Sequence, residues 1–272
     1  METNGYDLLP MTAADVDSVN GIKPDTWQDL TTIHRFYTEH DFCHPIKACL
    51  DGRMVGYGTA IVYRGTGWLA HIIVSEQHRN RGIGGRIVTA LNEYMLTEGA
   101  CRTLTLTATD QGYPVYVKKG FVVESEYIVC SRDTELAVPE TPRHIRPLEA
   151  EDTAQLLSLD RMVSGEVRDG ILLPFTLEGF VYAEGNAVRG YYLPTLGEGT
   201  VVAADQEAGR ALLRMKAAAV KRIILPAENS GGREFLKELS FAETGTIRRM
   251  RLGPAFEWQP QHVFCRIGGF AG

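Results

Sequence analysis

Residues 68–86, WLAHIIVSEQHRNRGIGGR, decide how this chain is read. The apolar run Leu69–Val74 is short and rich in β-branched side chains, which marks a buried strand. Ile87, Leu91, Tyr94 and Met95 then recur at helical spacing and give the following segment one apolar face. Between the two lies a polar turn, Ser75–Arg86, with three glycines and three arginines. Glycine lets backbone N–H groups face inward without a Cβ in the way, and a helix start adds partial positive charge. Strand, glycine turn and helix N-terminus together make an anion site, most naturally one for a pyrophosphate. A glycine turn before a helix is also ordinary punctuation, so spacing has to discriminate.

The P-loop pattern GxxxxGK[ST] is absent. The dinucleotide fingerprint GxGxxG starts at Gly82-Ile83-Gly84 but fails, because Gly85-Arg86-Ile87 supplies no last glycine. Arg79-Asn80-Arg81-Gly82-Ile83-Gly84 fits R/Q-x-x-G-x-G/A instead, and so closely resembles the loop of the GNAT N-acetyltransferases. The resemblance implies that the backbone of Arg79, Asn80, Arg81, Gly82, Ile83, Gly84 and Gly85 holds the pyrophosphate of acetyl-coenzyme A. It also implies that amides of Ile72, Ile73 and Val74, splayed by a bulge, polarise the thioester carbonyl. Tyr116-Val-Lys-Lys-Gly120-Phe121 looks like the family's Y-x-x-x-G-F, whose tyrosine donates to the departing sulfur. A family asparagine seven residues before that tyrosine is replaced by Thr109, in the run Ala108-Thr109-Asp110-Gln111-Gly112. Thr109 and Gly112 are then the expected cofactor contacts there.

The general base is not legible. Family positions for an acidic or histidine base fall on Ala70 and Trp68, neither of which takes a proton. His71 is adjacent and is the catalytic candidate, although strand alternation points it to the other face. His34 and Glu39 are alternatives. The cluster His40, Cys43, His44, Cys49 matches no common zinc spacing, so no metal is expected. Cys101 has no activating partner nearby in sequence, which argues against an acyl-cysteine intermediate.

Composition agrees with a globular chain: 272 residues, 44% hydrophobic and 23% charged, enough for two cores. No apolar run approaches a membrane span, and the N-terminus has no basic region leading into an apolar core, so neither membrane insertion nor secretion is expected. Five cysteines without CxxC point to a reducing cytoplasm. Residues 1–140 carry 12 Lys+Arg against 18 Asp+Glu, and the rest is balanced, which disfavours nucleic-acid binding.

The chain also repeats itself. Leu9-Pro10-Met11-Thr-Ala13-Ala-Asp15 matches Arg146-Pro147-Leu148-Glu-Ala150-Glu-Asp152, Asp51-Gly52 matches Glu184-Gly185, and Arg102–Phe121 maps at constant offset onto Arg222–Phe241. Opposite the glycine loop the second copy has only TVVAADQEAGR, and Leu236 stands opposite Tyr116. The expected architecture is α+β: two tandem GNAT-like domains, each a mixed, largely antiparallel sheet flanked by helices. The domains are 1–135, with the acetyl-CoA loop, and a degenerate 144–272, joined by a Pro-containing linker at 136–143. Ser164–Asp169 is expected to be a polar, acceptor-facing wall. The function expected from the resemblance is transfer of an acetyl group from acetyl-CoA to a primary amine of a small molecule. Acylation of a protein lysine or N-terminus, and a non-catalytic acyl-CoA sensor, are the alternatives. The sequence gives no reading of oligomeric state.

Overall fold

The computed structural model describes residues 5–24, 29–135 and 144–272. The expected linker lies outside them. The first half runs β1 (Tyr6–Pro10), α1 (Val16–Val19), α2 (Thr31–Glu39), β2 (Cys43–Leu50), β3 (Arg53–Val62), β4 (Thr66–Val74), α3 (Ile83–Thr97), β5 (Thr103–Ala108), α4 (Tyr113–Lys118) and β6 (Val122–Ser131). The second runs β7 (Ile145–Pro147), α5 (Thr153–Ser164), α6 (Asp169–Leu172), β8 (Phe180–Glu184), β9 (Ala187–Leu193), β10 (Thr200–Ala203), α7 (Gln206–Ala219), β11 (Arg222–Pro226), α8 (Ser230–Glu238), β12 (Ala242–Leu252) and β13 (Val263–Cys265).

Chain contacts divide these elements into two compact units. One holds the chain up to Val122 together with Met250–Pro254; the other holds Val123–Arg249 and Ala255–Gly272. The division differs from a cut near residue 135, because β6 falls in the second unit and the end of β12 falls in the first. Met250 is fully buried in the first unit's core, and Thr103 Oγ1 donates to Pro254 O at 2.7 Å.

In the first unit the strands lie in the order β1-β2-β3-β4-β5, followed by the end of β12. Neighbours from β1 to β4 are antiparallel, and β4–β5 is parallel. The β2–β3 hairpin turns on Asp51 (φ 49°) and Gly52 (φ 74°), the two positive φ values that a tight primed turn demands. One sheet face packs on α3 through Ile83, Ile87, Val88, Leu91 and Met95, all buried. Each such side chain contributes about 1.5–3 kcal/mol of burial. Gly58 lets α3 approach: a Cβ there would lie 2.5 Å from Ile72 Cδ1 and 2.8 Å from Ile87 Cγ2. The opposite face carries Tyr57 and Ile73 against Val16, Val19 and Leu30.

The second unit has β13-β10-β9-β8-β7, antiparallel throughout, and β12-β6-β11. The repeat read from sequence reappears as local structure. Thr12 N–H donates to Asp15 Oδ2, and Glu149 N–H donates to Asp152 Oδ2, both at 2.9 Å. Phe121 N–H reaches Tyr116 O at 3.1 Å, and Phe241 N–H reaches Leu236 O at 3.0 Å.

Candidate active site

The glycine loop ends on an α-helix whose first amides are not capped by any side chain among the described residues. Gly82, the N-cap of the 15-residue α3, sits at φ 80° and has no side chain to cap the amides, and the first turn contains no acidic residue. Asn80 is also left-handed at φ 62°. A Cβ on Gly82 or Gly85 would meet nothing within 4 Å, so these glycines leave open space in front of the helix. Free N–H groups, positive helix end and open approach fit a pyrophosphate.

The three arginines divide. Arg79 Nε donates to Val74 O at 3.2 Å, closing the end of β4, and Arg86 stacks 4.6 Å over the Tyr6 ring. Arg81 is exposed, with no partner among the described residues. Of the three, Arg81 alone is uncommitted to the fold among these contacts.

Where β4 passes the loop it departs from regular pairing. Tyr57 faces Ile73 and Thr59 faces Ala70, so Gly58 alone stands opposite two residues, His71 and Ile72. His71 takes φ 48° at this bulge. The extra residue resets the alternation. Leu69, Ile72 and Val74 pack with the core under α3, whereas Ile73 packs on the α1–α2 side. On its other edge β4 pairs with β5 only over Thr66–Trp68 and Thr103–Thr105. Both strands run on beyond that point, so the β5-side edge of Leu69–Val74 is left without ladder partners there. This open edge holds Ile72, Ile73 and Val74.

Tyr116 lies on α4, buried, with its ring edge-on to Phe121 at 6.0 Å. Its hydroxyl bonds no other described residue, and burial pushes its pKa above the usual phenol range. The modest tuning that would suit full proton transfer is therefore not present; a phenol so held keeps its proton and acts as a hydrogen-bond donor. Gly112 makes room for it: a Cβ there would be 3.0 Å from Tyr116 Cε2. Thr109 uses its hydroxyl on Gly112 N–H at 3.3 Å, opening α4.

His71 does not follow simple alternation, because the bulge turns it to the α2 side. Its Nδ1 is 2.9 Å from Tyr37 Oη, and its ring lies 5.2 Å from that of His34. Burial, then repulsion from His34, lowers its pKa to about 3. His34 Nδ1 donates to Leu30 O at 2.8 Å, and burial lowers its pKa to about 4. Both imidazoles are neutral at ordinary pH and weakly basic. Glu39 is exposed at the end of α2. Tyr37, Tyr57 and Thr59 belong to the same cluster and were not legible as site residues; the signal was their spacing, Tyr57 and Thr59 two apart on one strand face.

The soft ligands near residue 40 diverge. His40 Nδ1 bonds Phe36 O at 2.8 Å, His44 stacks on Tyr94 at 3.7 Å, and burial pushes the Cys43 thiol up to about 12. Among the described residues no group of three or more His, Cys, Asp or Glu is placed to hold a metal ion.

The second unit answers the same positions differently. Asp205 caps α7 with its own carboxylate, accepting from Glu207 and Ala208 N–H at 3.0 Å each. The gap beside β10 is filled by residues 263–265: β13 pairs with β10, and Arg266 N–H donates to Ile224 O of β11 at 3.0 Å. A Cβ on Gly209 would collide with the Phe264 ring. Ser164, Glu166 and Arg168, read as a polar wall, are buried here instead, with Arg168 on Asp160 at 2.8 Å.

Residues 14–121 match the profile of the acetyltransferase (GNAT) family. A Pyrococcus horikoshii protein, provisionally classed as an acetyltransferase, is 21% identical, with a TM-score of 0.84 over 100% of this chain and 98% of that one. A tandem GNAT protein from the clavulanic acid biosynthesis pathway is 15% identical, with a TM-score of 0.62 over 92% of this chain and 99% of that one. A GCN5-related N-acetyltransferase from Sphaerobacter thermophilus is 14% identical, with a TM-score of 0.62 over 94% and 99%. No curated protein matches the sequence. Residues 14–121 thus match the GNAT acetyltransferases, and the chain as a whole has the fold of tandem GNAT proteins. Among the described residues no helix is long and apolar enough to cross a membrane.

Proposed function

We propose that the first unit transfers an acetyl group from acetyl-CoA directly to a primary amine of a small molecule. The observation that carries this reading is the uncapped N-terminus of α3, set behind a left-handed Gly82 and beside the unpaired edge of β4. Gly82–Gly85 would hold the pyrophosphate through backbone N–H groups, with Arg81 adding charge. Acetyl-CoA supplies the activated thioester. The edge of Ile72–Val74 orients and polarises its carbonyl, and Tyr116 donates a hydrogen bond to the sulfur as the C–S bond breaks. In balance, the amine nitrogen gains the acetyl group and loses one proton, and the thiolate gains one.

Its neutral imidazole makes His71 a weak proton acceptor, best suited to take the proton after attack, when the nitrogen is acidic. The second unit, with its helix end and strand gap both filled by its own chain, is assigned no acetyl-CoA. Free cysteines at Cys43, Cys101, Cys130 and Cys265, all buried, fit a reducing cytoplasm. Calorimetry with acetyl-CoA, followed by thiol release with a panel of amines and peptides, tests the reading. One site per chain and release with a small amine support it. Binding without release from any acceptor would make the chain a sensor, and release with peptides alone would make it a protein acetyltransferase.

A further inference from the structure

The sheet face behind the β4 bulge carries more polar atoms than its fold uses. His34 Nε2, Tyr57 Oη, Thr59 Oγ1 and Thr105 Oγ1 are sealed from solvent and have no hydrogen-bond partner. All four residues are fully buried. Native folds leave few such groups, and leaving one unpaired is costly. These four are not scattered. Thr59 stands opposite Ala70, next to the bulge at His71, and Thr105 stands opposite Trp68 where the β4–β5 pairing ends. Tyr57 is two residues from Thr59 on β3, and its ring lies 4.8 Å from that of His34. The four atoms therefore line one face, behind the open edge of β4.

The charge of this face is equally specific. Strands β4 and β5 contain no charged residue. Arg35 and Glu39 of α2, Arg53 of β3, Asp17 of α1 and Asp29 before α2 are exposed, and Lys47 of β2 is bound to Asp15. Among the described residues, the other titratable groups on the face are His34, Tyr37, Cys43, Tyr57, Tyr63 and His71. Burial lowers the histidine pKa values and raises those of Tyr37, Cys43 and Tyr57, so these groups are neutral at ordinary pH. An ammonium ion buried here would meet no counter-charge among the described residues, which is strongly disfavoured. Nor are the rings arranged as an open cation cage: His34 meets Tyr57 at 84° and Tyr37 at 70°, edge against face.

We propose that this face is the acceptor pocket of the reaction, and that it selects an aromatic amine uncharged at neutral pH, an arylamine rather than an alkylammonium. The proposal rests on the acetyl-transfer reading above. Aromatic walls from Tyr37, Tyr57 and Trp68 take the ring, and the unpartnered hydroxyls and imidazole take polar substituents on it. A free-base amine needs no carboxylate to strip a proton beforehand, which agrees with Ala70 and Trp68 at the positions where a base was sought. Nitrogen attacks the thioester carbon as N–C forms and C–S breaks. The ammonium proton of the adduct then leaves to water or His71, and the sulfur is protonated.

The test uses the full chain with acetyl-CoA and two matched series, ring-substituted anilines and the corresponding benzylamines. Anilines are expected to give kcat/KM at least about tenfold above benzylamines at pH 7, and benzylamine rates to rise about tenfold per pH unit as the free base grows. Tyr57→Phe and Thr59→Val are expected to raise KM for hydroxyl-bearing anilines about tenfold, with acetyl-CoA affinity unchanged. Because each removes an unpaired buried polar atom, neither is expected to lower the melting temperature of the unliganded protein. Preference for benzylamine or aliphatic diamines at pH 7, no turnover of any aniline, or a lowered melting temperature in both variants overturns the proposal. Absence of acetyl-CoA binding overturns instead the reading it rests on, and the two failures are separated by calorimetry before any acceptor is added.

Discussion

Gly84→Asp should separate the stability of α3 from its use as an anion site. A Cβ at Gly84 meets only Val74 Cγ2, at 3.5 Å, an ordinary contact, and Gly84 lies in the first turn of a 15-residue helix. Replacing glycine recovers a few tenths of a kcal/mol of helix propensity, and a carboxylate at the uncapped end adds about 0.3–1 kcal/mol. The unliganded variant should therefore be more stable, by about 1 kcal/mol, or about 2–4 °C in melting temperature. The same carboxylate puts a negative charge in the first turn of α3, where it repels phosphate. Wild type at ~100 times Kd of acetyl-CoA gains about 2.7 kcal/mol, a rise of about 5–10 °C, and the variant should gain none. Differential scanning with and without acetyl-CoA reads both numbers. A variant that keeps the wild-type rise shows that α3 does not hold the ligand; a destabilised unliganded variant shows that the space inferred at Gly84 is not there.

Tyr116→Phe should lower kcat by roughly 10²-fold while leaving acetyl-CoA affinity unchanged, and unaltered turnover would make the tyrosine structural. Because its phenol pKa lies above the ordinary value, Tyr116 should stay protonated, and kcat should show no loss from its ionisation below about pH 10. His34 is neutral when folded, with a pKa lowered to about 4, so the stability it contributes is complete above the unfolded value near 6.5. That stability falls by about 2 kcal/mol between pH 6.5 and 5, and a melting temperature independent of pH across that range would contradict the burial argument. A fragment ending at residue 135 should fail to fold, since it lacks buried Met250 and the Pro254 carbonyl that Thr103 uses, and leaves β6 without β11. A cooperative thermal transition in that fragment would refute this.

The sequence by itself determined the local devices. Gly82-Ile83-Gly84 before an apolar helical stripe marked the glycine turn that opens α3, Asp51-Gly52 marked a hairpin through its positive φ values, and the recurrence of Asp15 as Asp152 marked the duplication. Each depends on residues a few positions apart, so spacing alone carries it. The loss of the loop in the second copy was legible too, but what replaced it was not. That Asp205 would cap α7 is local; that residues 263–265 would fill the gap beside β10 needed the fold.

The tertiary structure decided three further things. The bulge at His71 arises from pairing with β3, where one residue of Gly58 faces two, and no property of His71 alone announces it. It overrode the alternation that had placed His71 on the wrong face, because a single inserted residue reverses every side chain that follows it. The division of the units depended on tertiary contacts: Met250–Pro254 is more than a hundred residues from β5 in sequence, and core packing together with hydrogen bonding assigns it to the first unit. The neutral face proposed for the acceptor was hidden for the same reason. His34, Tyr57, Thr59 and Thr105 read singly as ordinary strand and helix residues, and their lack of partners is a property of the space they share.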